Sequence, residues 1–340
     1  MAATGRLEVV APDGVPEISA GTDLVDLVAT ALSRVEPGPA DGDVVVVTSK
    51  VVSKAEGRVC DAADYDRALA EESTRVLASR GRTRIVRHRL GLVLAAAGID
   101  RSNVEPGRIV LLPRDPDGSA ARLRAGLRER LGVNVAVVVT DTFGRAWREG
   151  QTDVAIGVAG LLPLESHLGM LDAHGHELAV TAPAVADEIA GAVELAQGKL
   201  GGRPLALVRG RADLVLPVGE DGPGAGPLQR VAELDMFSLG VREAVVTALA
   251  QDGADQSLFG PPATPEELGS ALTRVLGVPV RLGDGTADGT PGHEVTLPAD
   301  TPREVVAALC FSHGWRLADS RLPESRSGAG AVVRLLPVIP

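Results

Sequence analysis

The feature that most constrains the fold is the stretch from Val135 to Gly160, in which two apolar runs flank a polar segment that contains glycines. The first run, residues 135–139, reads VAVVV and predicts a strand in the interior of a sheet, because continuous β-branched runs are typical of strands buried on both faces. Sheets commonly present ligand-binding groups just beyond such strands. The chain is therefore expected to form a β-containing core with a polar edge at this point.

The polar segment offers two kinds of candidate functional group. Asp141 and Thr142 carry hard oxygen atoms suited to Mg²⁺ or Mn²⁺. Arg145 and Arg148 carry guanidinium groups suited to phosphate or carboxylate. A structural alternative stays open, in which Asp141 caps a turn and the two arginines are solvated.

Composition narrows the classes of function. A length of 340 residues favours two domains or one large domain with an appendage, and a net charge of −11 argues against nucleic-acid or anionic-membrane partners. Cys60 and Cys310 are too few for a disulfide framework, which favours a reducing cytoplasm. No apolar run approaches the roughly 20 residues that span a bilayer, and we expect a soluble cytoplasmic protein.

Two upstream patches suggest an anion or metal site. Ser49 and Lys54 follow a predicted strand at Asp43 to Thr48, where they could cradle a phosphate, although a solvated basic turn explains them equally well. The P-loop pattern GxxxxGK[ST] is absent from the sequence. Asp100 and Asn103 end a run of small residues, and Asp100 is predicted either to approach a metal or to close an Asx-type turn.

Downstream segments are predicted to be structural. The run from Asp172 to Glu177 is typical of a hairpin turn rather than a zinc site, and the glycine-rich segment 219–226 could cover a binding site. Beyond Gly253, capping-box patterns at Thr264 and Thr301 predict two helices of a small α+β module. The predicted domains are residues 1–250 and 251–340.

The patches occur in a recognisable order: SKVVSKAEGR, GLVLAAAGIDRSN, DPDGSAARLR and VVVTDTFGRAWREGQTDVAIGVAG. This series resembles the coenzyme F420:L-glutamate ligase family, known as CofE in archaea and as the N-terminal part of FbiB in actinobacteria, over about Leu7 to Gly240. The resemblance implies an α+β, CofE-like gamma-glutamyl ligase fold without a P-loop, and a homodimer. Residues 253–340 show no motif of the flavin-binding domain of FbiB, so flavin reduction is not implied.

The resemblance also implies a reaction. Members of the family join L-glutamate by a γ-linked amide to F420-0 or dehydro-F420-0, with GTP as co-substrate and two Mg²⁺ or Mn²⁺ ions per subunit, and with a place for K⁺. It implies metal ligands at Asp100, Asp141 and Thr142. The implied GTP contacts are Val15, Pro16, Glu17, Ile18, Ser49, Lys54 and Asn103. From charge alone, Arg145 and Arg148 are predicted to act in catalysis by holding ligand oxygens, and the carboxylate is predicted to be activated as an acyl phosphate.

Two other classes of function stay open at this stage. A metal-dependent phosphohydrolase would use the same acids and arginines with water in place of an amine. A non-catalytic module could bind a nucleotide or the F420 precursor. The ligase hypothesis requires Asp100 and Asp141 to lie along one cleft that accepts anions.

Overall fold

The computed structural model describes residues 5–179, 181–231, 234–284, 292–298, 300–318 and 331–338. The chain divides into two compact units, one of residues 1–76 and 82–229 and the other of residues 77–81 and 230–340. Both units mix helices and strands, which confirms the predicted α+β class.

The first unit contains most of the secondary structure. In chain order its elements are β1 (Glu8–Val10), α1 (Leu24–Leu32), β2 (Val44–Thr48), α2 (Ser49–Ala55), β3 (Val59–Asp61), α3 (Tyr65–Glu72), β4 (Ser73–Arg80), β5 (Thr83–His88), β6 (Val93–Ala95), β7 (Arg108–Val110), α4 (Pro116–Leu131), β8 (Ala136–Arg145), β9 (Arg148–Ala159), α5 (Val185–Gln197) and β10 (Leu205–Arg209). The end of β4, residues 77–80, is grouped with the second unit.

A five-stranded sheet in the order β1-β10-β2-β8-β9 forms the centre of this unit. Strands β2 and β8 are parallel, with Thr48 opposite Thr140 at their ends, whereas the other neighbours in the sheet are antiparallel. Alternate valines of β2 and β8 pack with α1 and α4 on one face and with α5 on the other. The sheet is therefore covered on both faces, which explains why its central strands are continuous valine runs.

The amphipathic pattern of residues 65–79 predicts one helix from Tyr65 to Ser79. In the structure, α3 ends at Glu72 and the strand β4 follows it directly. Glu72 is buried, and its carboxylate contacts Arg58, His88 and Arg89 at 2.7–3.0 Å, which holds the end of α3 in place. The β-branched residues that follow favour extended backbone. Tertiary ion pairing and strand propensity together outweigh the helical pattern here.

The ends of α4 follow the expected chemistry, whereas the start of α1 does not. The sequence predicts that the segment from Asp115 to Ser119 starts a helix and that Gly132 ends it, and in the structure Asp115 caps α4 and Gly132 ends it in a left-handed conformation. The sequence predicts Thr22 as the N-terminal cap of α1, but Asp23 caps the helix, because the Thr22 side chain hydrogen-bonds the backbone of Ser19 instead.

The second unit has its own core. Its elements are α6 (Val241–Ala250), α7 (Pro265–Leu276), β11 (Leu282–Asp284), β12 (His293–Leu297), α8 (Arg303–Ser312), β13 (Trp315–Leu317) and β14 (Ala331–Pro337). The strands form an antiparallel sheet in the order β11-β12-β14-β13, and side chains of α7 and α8 pack with it. The capping box at Thr264 is confirmed, but the one predicted at Thr301 does not form, because Pro302 occupies the cap position of α8.

Among the described residues, no helix combines the length and the apolarity that crossing a membrane requires.

Candidate functional site

A cavity of about 660 Å³ opens in the first unit where the parallel strands β2 and β8 end. This is the edge at which open α/β sheets usually bind ligands. Five segments contribute its lining, and all of the lining residues lie between positions 15 and 204. The segments are 15–18, 48–54, 94–103, 141–153 and 194–204.

Helix α2 begins directly after β2, at the position where the sequence suggested a basic turn. Ser49 lies in its first turn and is buried, whereas Lys50 and Lys54 both line the cavity. Residues four apart lie on the same side of a helix, so this short helix points two cations in one direction. Lys54 forms an ion pair with Glu17, which lines the same cavity.

Asp141 and Thr142 lie on β8 just beyond a bulge between Val139 and Thr140. Such bulges redirect the side chains that follow them. The Ser49 hydroxyl donates to Asp141 at 2.9 Å, and the Thr142 hydroxyl donates to the buried carboxylate of Asp153 at 2.7 Å. Both predicted residues therefore line the cavity.

The carboxyl group of Asp141 has an unusual environment. Burial raises its pKa to about 7; the nearby charges of Asp153 and Asp100 act in the same direction, and the hydrogen bond from Ser49 opposes them. Burial also raises the pKa of Glu194, another acid of the cavity, with a further contribution from Asp153. Perturbed carboxyl groups in a cleft are typical of functional sites.

Asp100 also lines the cavity, and its backbone bridges Val110. Its carboxylate accepts the backbone N–H of Ser102 at 2.7 Å, the Ser102 hydroxyl at 2.9 Å and the Lys50 ammonium at 2.7 Å. Burial would raise the pKa of Asp100, but the hydrogen bonds from Lys50 and Ser102 outweigh it and lower the pKa. Asp100 thus closes an Asx-type turn and also lines the cavity. The two predicted roles, closing a turn and approaching a metal, therefore do not exclude each other.

The structure brings most of the predicted site residues together. Among the predicted GTP contacts, Val15, Pro16, Glu17, Ile18, Lys54 and Asn103 line the cavity, and Ser49 reaches it through Asp141. Asp100 and Asp141 share this cavity and lie close enough for the charge of Asp100 to raise the pKa of Asp141.

Arg145 and Arg148 are not among the described residues that line the cavity. Strand β8 continues through the segment predicted as a loop, and β9 begins at Arg148, so both arginines lie at the tip of a long hairpin. Both are exposed there, and Trp147 between them is 82% exposed. The catalytic role assigned to the two arginines stays a prediction that this geometry does not support.

The other candidate segments lie elsewhere. Asp172 accepts the backbone N–H groups of His174 and His176, as expected for a turn. The glycine-rich segment 219–226 does not line the cavity: Arg124 donates to Glu220 and Asp221, and Asp117 accepts the N–H of Ala225. These contacts hold the segment against α4, so the predicted role as a cover is not realised.

Sequence reasoning missed several cavity residues: Gln151, Asp153, Glu194, Gln197, Lys199 and Arg203. Lys199 and Arg203 lie in a glycine-rich connection, GKLGGRP, just before β10, and this pairing of glycine with cations was the available signal. Gln197 is only 5% exposed, and its amide nitrogen has no hydrogen-bond partner among the described residues. Buried polar groups are rarely left in that condition, which suggests that a ligand completes its bonding.

The donor set of the cavity suits a hard divalent cation. Within the described ranges, no group of three or more His, Cys, Asp or Glu side chains is arranged to hold a metal ion by itself. Mg²⁺, however, usually binds one or two carboxylates together with waters and substrate phosphates. Asp100, Asp141 and Thr142 therefore fit an ion whose remaining ligands come from a phosphorylated substrate.

These features define an α+β enzyme-like protein whose mixed-charge cavity suits a small polyanion. A family model for F420-0:Gamma-glutamyl ligase matches residues 14–210, a segment that contains the whole cavity lining. The coenzyme F420:L-glutamate ligase of Methanothermobacter thermautotrophicus is 38% identical over 254 residues, which cover 68% of this chain and 98% of that protein.

Two further relatives bear the same name. The protein from Archaeoglobus fulgidus is 40% identical over 225 residues, and that from Halobacterium salinarum is 40% identical over 229 residues. The matches cover 60% of this chain in both cases, and 88% and 87% of the two relatives. The chain belongs to the F420-0:gamma-glutamyl ligase family, as its motifs suggested, and it is a ligase.

Proposed function

We propose that this protein uses GTP and a divalent cation, Mg²⁺ or Mn²⁺, to join L-glutamate by a γ-linked amide to F420-0 or dehydro-F420-0. One observation carries the proposal: the segment matched by the family forms a single cavity that contains Asp100, Asp141 and four basic side chains. The basic residues are Lys50, Lys54, Lys199 and Arg203. Such a cavity suits the charges of a triphosphate and of substrate carboxylates.

The nucleotide is assigned to the cationic parts of the cavity. Lys54 from α2 and Lys199 and Arg203 from the connection before β10 would hold phosphate oxygens, with Ser49 and Asn103 as further polar contacts. The backbone at 15–18 would border the same ligand. Seven of these nine contacts are those that the family resemblance implied, and Lys199 and Arg203 are added from the lining of the cavity.

The metal is assigned to the acidic parts of the cavity. Asp100, Asp141 and Thr142 would hold the divalent ions, which when bound neutralise charge on the phosphates. The Thr142 hydroxyl donates a hydrogen bond to Asp153 at 2.7 Å, which orients the hydroxyl group. The lone pairs of its oxygen then point away from Asp153, where they would be available to the metal.

The reaction then needs two displacements. An oxygen of the precursor carboxylate attacks the γ-phosphorus of GTP, which forms an acyl phosphate and releases GDP. The glutamate amine then attacks the acyl carbon, so that a C–N bond forms, phosphate leaves, and the amine gives up a proton. Asp153 and Glu194 are carboxylates of the cavity that can accept this proton.

Further parts of the assignment extend the family resemblance. We propose a CofE-like ligase domain of residues 1–250 and a small domain of residues 251–340, although the second compact unit begins at residue 230 and includes α6. We also propose that the protein acts as a cytoplasmic homodimer. No catalytic role is assigned to the second unit.

The deciding experiment incubates the protein with GTP, Mn²⁺ or Mg²⁺, L-glutamate and F420-0 or its dehydro form, and measures GDP and product mass. Glutamate-dependent GDP release with a product heavier by one glutamyl unit supports ligation. GDP release without glutamate instead indicates a phosphohydrolase, and nucleotide binding without turnover indicates a binding module.

A further inference from the structure

The ammonium group of Lys50 occupies an oxygen-lined position inside the cavity. It donates to Asp100 Oδ2 and to Ser102 Oγ at 2.7 Å each, to the Ser102 carbonyl at 3.1 Å and to Asn103 Oδ1 at 3.4 Å. The Lys50 side chain is only 19% exposed, and it reaches this position from α2, which is distant in sequence. The Lys50 ammonium group thus holds the turn 100–103 together by contacting three of its residues.

This arrangement uses up the carboxylate oxygen that faces Lys50. Asp100 Oδ2 accepts two hydrogen bonds, from Lys50 and from the Ser102 hydroxyl, and a carboxylate oxygen offers about two lone-pair sites. A divalent ion that bound this oxygen directly would therefore need the ammonium group or the Ser102 hydroxyl to leave. A divalent ion and the Lys50 ammonium group that contacted the same carboxylate oxygen would also repel each other strongly, because the site is partly buried.

We propose that Lys50 is a resident counter-cation of Asp100, a positioning residue that competes with the divalent ion and moves away when that ion binds. In the metal-free protein it keeps the turn 100–103 formed and balances the charge of Asp100. Phosphates of a bound nucleotide would offer the displaced ammonium group a new partner, beside Lys54 on the same helix. Metal and nucleotide should therefore each raise the affinity for the other, through Lys50.

This inference rests on the proposed metal site but not on turnover. The test measures Mn²⁺ binding to the full chain without nucleotide, by electron paramagnetic resonance, in the wild type and in Lys50→Met. Methionine is unbranched and only one heavy atom shorter than lysine, and it removes the charge. Removal of the competitor should tighten Mn²⁺ binding by about 10-fold or more, which corresponds to about 1.4 kcal/mol.

A matched control separates competition from the general field of a positive charge. Lys54→Met removes a cation from the same helix and the same cavity, and it should change Mn²⁺ affinity much less. In Lys50→Met/Asp100→Asn, the gain in affinity should disappear, which locates the effect at Asp100. Lys50→Arg keeps a cation and should bind Mn²⁺ about as weakly as the wild type.

The outcomes are distinct. Unchanged or weaker Mn²⁺ binding in Lys50→Met, a gain equal to that of Lys54→Met, or no Mn²⁺ binding by either protein would each overturn the proposal. A second measurement compares Mn²⁺ affinity with and without GTP, and the gain caused by GTP should be smaller in Lys50→Met. Failure of the ligase assay alongside the expected Mn²⁺ result would refute the proposed reaction and leave the role of Lys50 standing.

Discussion

Two parts of the β8–β9 hairpin carry charged side chains but differ in environment: the part around Asp141 and Asp153, called the base here, and the tip around Arg145 and Arg148. At the base, Asp141 and Asp153 are enclosed by the cavity wall, and they receive hydrogen bonds from Ser49 and Thr142. At the tip, Arg145 and Arg148 extend into solvent. Solvent and salt screen exposed charges much more than buried ones. Strongly shifted pKa values are therefore expected at the base and not at the tip.

The largest effect is expected at the base. Asp141→Asn keeps the size of the side chain but removes the charge that is assigned to the metal, and it should lower the rate of glutamate-dependent GDP release by about 100-fold or more. The melting temperature at pH 8 should not fall, because the wild-type fold must bury that charge. Full activity in this variant would contradict the assigned role.

The next largest effect is expected at Glu72, and it tests whether burial alone sets the direction in which the pKa of a carboxyl group shifts. Glu72 is buried, as is Asp153 at the base of the hairpin. Burial would raise the pKa of Glu72, but the hydrogen bond from His88 and the ion pairs with Arg58 and Arg89 lower it from 4.5 to about 2. The pKa of Asp141 shifts in the opposite direction. Glu72→Gln leaves these arginines without their counter-charge. We expect it to lower the free energy of unfolding by about 3 kcal/mol at pH 7.

The same pKa shift predicts the pH dependence. Because the pKa of Glu72 is lower in the folded state, its contribution to stability is complete above about pH 4.5 and is lost as the pH falls through 4.5 towards 2. Urea unfolding from pH 7 to pH 3 should therefore show a difference between wild type and Glu72→Gln that shrinks with acidification. A constant difference over this range would show that Glu72 acts by packing and not by charge.

Local chemistry explains which parts of the fold the sequence predicts. The ends of α4, at Asp115 and Gly132, and the capping box at Thr264 depend on residues within a few positions, and all three are confirmed. The helix α2 and the early end of α3 were not predicted, because α2 has only seven residues and the end of α3 depends on contacts with Arg58 and His88.

The site shows the same division between local and distant information. The family motifs identified Asp100 and Asp141, and the structure brings both to one cavity. Residues such as Lys199 and Arg203 were missed because only the folding of β10 beside β2 brings their loop to that cavity. Conversely, Arg145 is close to Asp141 in sequence, but the extended hairpin carries it away from the cavity.

A smaller effect is expected from the newly assigned phosphate contacts. Arg203→Ala should raise the KM for GTP by about 10-fold while it changes kcat less, because one charge-assisted contact to the ligand is lost. Arg203 also pairs with the exposed Asp13 at 2.7 Å, so Asp13→Ala serves as a control for loss of that surface pair. Equal effects of both variants on KM would remove Arg203 from the nucleotide site.

The smallest effect is expected at the hairpin tip. In one polypeptide the exposed guanidinium groups of Arg145 and Arg148 lie outside the cavity, so Arg145→Ala/Arg148→Ala should change kcat/KM by less than about 2-fold and stability by less than about 0.5 kcal/mol. The ligase assay and urea unfolding measure the two quantities. A loss of activity above about 10-fold with unchanged stability would instead mean that the tip contacts a ligand. Repeating the assay at several protein concentrations would then show whether that ligand is bound in a second copy of the chain.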